Sequence, residues 1–295
     1  MNKYALYVFL GSCSFGVLST IVKLAYGEGF LPQQVIFSQY FCGWLMMSAI
    51  MLKKGVSTTK KEKIQLLLAG TMMAITGISY SMALSHISAS LAIILLFQFT
   101  WIGLVFESIA TKTLPSRIKL FTIAIVLFGT ALSGGLMGSE VEWNTAGIIL
   151  GLVSALSYAF SIYFNGSIAP TLQSVTKGYY IGTGALITVA LVFPPTFLFN
   201  MEIVSGLAKY GLMLGFFGMV IPPILFAAGV PKIGTGLATI LGAAELPVVI
   251  LLSMFVLKEE VTLVQWVGVL LILAALILPQ LPYFSQENKQ KSLSK

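Results

Sequence analysis

The chain has 295 residues, 57% hydrophobic and 9% charged, with a mean hydropathy of +0.95. A water-soluble domain carries about 25% charged residues, so this composition cannot cover a soluble surface and excludes a globular protein in water. The net charge of +7 invites a nucleic-acid reading, but the cations sit in short loops between apolar runs, as they do in membrane proteins.

A membrane-spanning helix needs about 20 apolar residues. Runs of that kind occur at 4–26, 33–52, 64–84, 88–109, 117–137, 144–164, 175–198, 206–228, 233–257 and 262–282, which predicts ten spans in an all-α membrane protein. The first run is longer than a signal-peptide core and lacks a small-residue cleavage site, so it reads as a retained helix. Short connections at 27–32, 53–63, 111–117, 139–144 and 200–205 hold most of the Pro, Asn and charge. The segment 285–295 reads as a disordered polar tail. Cys13 and Cys42 both fall inside apolar runs and read as small hydrophobes rather than a disulfide or metal pair.

Orientation follows from Lys and Arg in the short loops. With the N-terminus in the cytoplasm, Lys3, the five lysines of 53–63, Lys112, Arg117, Lys119, Lys177, Lys232 and the tail lysines all fall inside. Lys209 and Lys258 fall outside, together with Glu28, Glu140, Glu142, Glu202, Glu259 and Glu260. Both termini are therefore expected in the cytoplasm of a multi-pass plasma-membrane protein, with a bacterial source.

The halves of the chain resemble each other. A gapless comparison of 87–114 with 234–261 sets Gln98 against Glu245 and Thr100 against Pro247. Ser12, Gly16, Ser19 and Lys23 share a spacing that Ser154, Tyr158, Ser161 and Asn165 repeat. Five helices is an odd number, so the second half must enter the membrane from the opposite side. The expectation is two inverted five-helix repeats, 1–138 and 139–284. Inverted repeats are typical of secondary transporters, whose sites lie near the midplane at the repeat interface.

Particular residues extend this to a family. The first helix carries Gly11-Ser12-Cys13-Ser14-Phe15-Gly16 and runs on to Lys23, and the ninth carries Glu245-Leu246-Pro247-Val248. A hairpin follows, Leu257-Lys258-Glu259-Glu260-Val261-Thr262, then Gln265-Trp266-Val267-Gly268. Over residues 4–282 these features resemble the drug/metabolite transporter superfamily, specifically its EamA-type permeases. The departures are Lys258 where that hairpin usually has Gly, and Gln39 where the second helix often has Arg. The resemblance implies two five-helix repeats, both termini inside, and alternating-access movement of small metabolites.

Glu245 is the leading site residue, because a charge at the bilayer centre costs about 2.5 kcal/mol or more. It is read as a substrate ligand, a proton carrier, or both. Gln98 and Trp101 share a helix face and are expected to line the same cavity, with the indole as a wall or cation–π surface. Ser12, Ser161, Tyr158 and Tyr80 are further lining candidates, although small residues at such spacing also describe close helix packing. Gly242 and Pro247 would loosen the ninth helix, and Pro222 and Pro223 would break the eighth, giving gating points. Lys23 and Glu107, near helix ends, are read as snorkelling or pairing locally.

Other function classes fit poorly. Intramembrane aspartyl proteolysis needs two Asp and the chain has none, while one His cannot supply an H-E-x-x-H zinc site. No G-x-S-x-G and no nucleotide-binding loop is present. A channel or scaffold remains the alternative to a carrier. The reading is a secondary active exporter of small metabolites such as amino acids or amines, by alternating access with proton coupling. No cofactor, metal or nucleic acid is expected; the partners are a small-molecule substrate and the lipid bilayer, as a monomer or homodimer.

Overall fold

Backbone N–H and C=O groups find no water in a hydrocarbon layer, so long apolar runs must pair them within the segment. The computed structural model describes residues 3–52, 58–83, 86–87, 89–134 and 144–280, and among these there are helices and turns but no strand. The helices are α1 (Lys3–Gly27), α2 (Pro32–Leu52), α3 (Lys60–Ala83), α4 (Ala89–Leu96), α5 (Phe99–Thr111), α6 (Arg117–Ser133) and α7 (Thr145–Ser167). They continue as α8 (Ser174–Val192), α9 (Met201–Gly215), α10 (Ile221–Ile233), α11 (Thr235–Gly242), α12 (Glu245–Phe255) and α13 (Leu263–Ile277).

Eight helical stretches are long and apolar enough to cross a membrane, three of them running through α4–α5, α9–α10 and α11–α12. The protein is an all-α, multi-pass membrane protein. The other two expected spans correspond to α6, of 17 residues, and α13, of 15. At about 1.5 Å per residue, each needs its flanks to cover a hydrocarbon layer of about 30 Å. The tail at 285–295 and the repeat boundary at 138–139 fall outside the described residues.

The long runs are interrupted where the sequence requires it. Pro247 has no N–H for the carbonyl four residues earlier, and its ring would crowd that carbonyl. The α11 helix accordingly ends at Gly242, and the N–H groups of Ala243 and Ala244 turn to Ile240 and Leu241, at 3.1 Å each. Pro247 then sits in the first turn of α12, where a missing donor costs little. The α4–α5 turn contains no proline. There the Gln98 N–H bonds Leu95 at 3.1 Å, and its side-chain amide donates to the Ile94 carbonyl at 3.0 Å. A side chain thus replaces the missing ladder bond.

The expected break at Pro222 and Pro223 takes a gentler form. Phe216–Val220 forms a π-helical turn, and α10 continues directly from Ile221. Neither proline can donate to the carbonyl four residues back, and a widened turn accommodates both without parting the helix.

The α3 helix packs on α7 and α8, α1 on α10 and α12, α2 on α8 and α9, α5 on α7 and α11, and α6 on α13. Helices embedded in lipid associate through close backbone approach at small residues. Gly129 of α6 and Gly268 of α13 meet in this way: a Cβ on Gly268 would stand 2.5 Å from the Gly129 carbonyl oxygen. The main core draws on α1, α5, α7, α10, α11, α12 and α13 and surrounds the α4–α5 and α11–α12 turns.

Candidate functional site

The α11–α12 turn sets Glu245 at the first position of α12, so the positive end of that helix dipole lies at its carboxylate. The α1 helix presses on this turn through Gly16. A Cβ there would stand 2.5 Å from the Glu245 carbonyl oxygen and 2.7 Å from the Val248 Cβ, so only glycine allows the approach. Ala243, Ala244 and Leu246 around it are buried, whereas Glu245 itself is partly open. Among the described residues, its carboxylate has no hydrogen-bond or ion-pair partner.

Two tyrosines stand within the field of that carboxylate, Tyr158 of α7 and Tyr80 of α3. Tyr158 is only 7% exposed, and its hydroxyl has no partner among the described residues. An unsatisfied buried polar group costs about 1–3 kcal/mol, so such a group calls for a reason. Its ring is held by packing instead. It lies 4.6 Å from the Phe99 ring and 6.0 Å from Phe15, which in turn meets Phe226 at 5.9 Å. A lone carboxylate, an unpartnered phenol and an aromatic layer together suit an ammonium group, through charge, hydrogen bonding and cation–π attraction.

The other expected site residues take different places. Gln98 bonds locally, to the Ile94 carbonyl and, as acceptor, to the Trp101 indole N–H at 2.8 Å. Trp101 is 44% exposed and lines a groove of about 430 Å³ between α5 and the start of α6, with Val105, Ile109 and Leu120. That groove opens outward, and the indole is a wall of it. Ser12 is buried and turns its hydroxyl onto the Val8 carbonyl at 2.9 Å, which makes it a packing residue. Ser161 is partly buried, one turn beyond Tyr158 on α7. Gly242 is packed under Phe99, and Pro247 is buried in α12.

The counterpart of Glu245 also changes. The α4 and α11 helices are both eight residues long, each is followed by a two-residue turn, and Lys112 and Lys258 share left-handed backbone at φ 53° and 59°. Matching α4–α5 to α11–α12 by these landmarks sets Phe99, not Gln98, against Glu245. A gapless comparison of similar apolar helices cannot detect a slip of one residue.

Two features are not visible in the sequence. Phe15, Phe99 and Phe226 look like ordinary apolar residues in a lipid-spanning run, and only packing reveals the layer they form with Tyr158. Lys177 is fully buried, and its ammonium donates to the Asn165 carbonyl at 2.9 Å, near the C-terminal end of α7, where a cation favours the helix dipole. Its place at a helix start marks it only as a loop cation. Glu107 pairs with nearby Lys119, whereas Lys23 pairs with the distant Glu259 after α12, at 2.5 Å each.

This is the architecture of a polytopic helical membrane protein with a polar group at interrupted helices, and comparison with known proteins narrows its class. Residues 145–279 match the model of the EamA-like transporter family. The chain is similar to the uncharacterized transporter YcbK of Bacillus subtilis (strain 168), 23% identical over 276 residues, covering 89% of this chain and 88% of the relative. It is also similar to the uncharacterized inner membrane transporter YicL of Salmonella typhimurium, 27% identical over 229 residues, 74% of this chain and 73% of the relative. A protein crystal structure shares the fold at a TM-score of 0.77 and 14% identity, covering 94% of this chain and 96% of that one. The second half of the chain thus matches the EamA-like transporter family, and both relatives are described as transporters, which supports a membrane transporter.

Proposed function

We propose that this transporter is a secondary active exporter of small metabolites bearing an amine, with amino acids and simple amines foremost, and that Glu245 binds the amine or the proton exchanged for it. The observation that carries the reading is the Glu245 carboxylate at a helix turn, within whose field the buried Tyr158 hydroxyl stands, neither having a partner among the described residues. Both groups stay unpaired at a cost, and a substrate or proton that satisfies them in turn gives the arrangement its purpose.

Alternating access fits the pattern of neighbours. The α3–α7 contact has a mate in α10–α1, α3–α8 in α9–α2, and α5–α7 in α12–α1. These pairings support the reading as two inverted five-helix repeats, 1–138 and 139–284, with α6 and α13 as the fifth and tenth spans. The loop lysines favour cytoplasmic termini.

Counterflow in proteoliposomes tests the substrate class. Purified protein is loaded with unlabelled amino acids, amines or sugars, and uptake of the labelled compound is followed. Counterflow is expected with compounds that carry an amine. Exchange of sugars alone would overturn the amine assignment.

A further inference from the structure

We infer that the structure represents the carrier sealed on the side where α5 ends and α11 begins, and that Glu107 is the latch holding that seal. The inference rests on the alternating-access reading above. Its test reads accessibility rather than flux, so each can fail separately.

The seal is built from α5 and α11. The Thr239 hydroxyl donates to the Thr100 carbonyl at 3.1 Å, and a Cβ on Gly103 would run into the Thr239 side chain. Phe99 covers Gly242. Beyond this crossing, the Glu107 carboxylate is seated on the first residues of α11. A Cβ on Gly234 or Gly236 would collide with one or other of its oxygens. Gly234 also has φ +82°, a backbone region that suits glycine. The carboxylate thus meets the positive end of α11. Its counter-ion is Lys119 of α6, and the two side chains are only 20% (Lys119) and 17% (Glu107) exposed. One mostly enclosed acid therefore ties α5, α6 and α11 together.

At the other end the ion pairs are exposed ones, Lys23–Glu259 and Lys209–Glu28, and among the described residues none ties α4 or α5 to α12. Under the repeat, the mate of the α5–α11 contact is α4 with α12, yet these make no comparable contact. Glu245 and Tyr80 are partly open, whereas the layer of Phe99, Tyr158 and Phe226 is nearly or fully buried. In a carrier of inverted repeats the two ends should seal alternately, and here one end is sealed. With cytoplasmic termini, the sealed end faces the cytoplasm. An exporter must then release Glu107 from α11 to load.

The test places a reporter inside the seal, Thr239→Cys, in a chain carrying Cys13→Ala and Cys42→Ala. Labelling by a membrane-impermeant maleimide is timed in inside-out and right-side-out vesicles. Glu107→Gln weakens the latch, Lys119→Met removes its counter-ion, and Gly236→Ala adds a Cβ where the carboxylate sits. Variants that elute as single species from size exclusion are compared. The latch predicts labelling at least about tenfold faster from the cytoplasmic face in these variants, which corresponds to about 1.4 kcal/mol. Unchanged rates in Glu107→Gln and Lys119→Met would overturn it. Faster labelling from the outer face would uphold the latch and overturn its cytoplasmic placement.

Discussion

The Tyr158 hydroxyl is buried with no partner among the described residues, while its ring is clamped between Phe15 and Phe99. That combination leads to an uncommon expectation. Tyr158→Phe should leave the melting temperature of the detergent-solubilised protein unchanged or slightly raised, since it removes an unsatisfied group that costs about 1–3 kcal/mol when buried. The same variant should weaken amine counterflow several-fold. A large drop in melting temperature would mean that the hydroxyl has a structural partner. Gly16→Ala should do the opposite, destabilising the fold by about 1–3 kcal/mol through overpacking. The sign of it is a lower melting temperature, because α1 has no room to retreat from the Glu245 carbonyl. Of these residues, Glu245 is the one that sequence makes conspicuous, because a single carboxylate in an apolar run of helical length has few structural uses. Tyr158 is visible as one member of a repeated polar stripe, although that stripe also contains Ser12, whose hydroxyl serves its own helix. That Tyr158 is held only by rings cannot be read along the chain, because Phe15 and Phe99 carry no polar signal.

At the scale of elements, the spans are legible from apolar run lengths, but their interruptions only partly so. Pro247 announces the α11–α12 turn because proline lacks a donor. The α4–α5 turn has no such marker, and Gln98, which reads as a cavity residue, is the group that repairs the helix there. This also explains the one-residue slip in matching the halves: polar type suggests Gln98 for Glu245, whereas helix ends point to Phe99. Pro247→Ala restores a donor for the Ala243 carbonyl, so amide exchange around 243–247 should slow and transport should fall. Unchanged exchange would show that the turn is imposed by packing against α1 instead. Outside the membrane, Glu28 lies between α1 and α2, and its hydrogen bond to Lys209, at 2.7 Å, holds its carboxyl below the usual carboxylate range. A carboxyl lowered on folding stabilises the fold above its unfolded value and ceases to do so as pH falls through the folded one. Acid in that range should therefore loosen the α1–α2 connection from α9, and Glu28→Gln should abolish that pH dependence in exchange measurements of 24–31.

For the molecule as a whole, composition settles the solvent and the helical class, since 9% charge leaves no soluble alternative. Function is less legible because a carrier's chemistry lies in the difference between two states, and polarity along a chain records neither. On the proposed reading, the carboxylate and phenol that lack partners among the described residues form the site, and the unequal contacts at its two ends set which way it opens. Whether Glu245 couples substrate movement to protons decides the mechanism. The direct measurement is amine flux driven by an imposed pH gradient in proteoliposomes, comparing the native protein with Glu245→Gln at equal incorporation. Gradient-driven flux is expected for the native chain, with its loss in the variant. Gradient-driven flux that is unchanged in Glu245→Gln would contradict the coupling role.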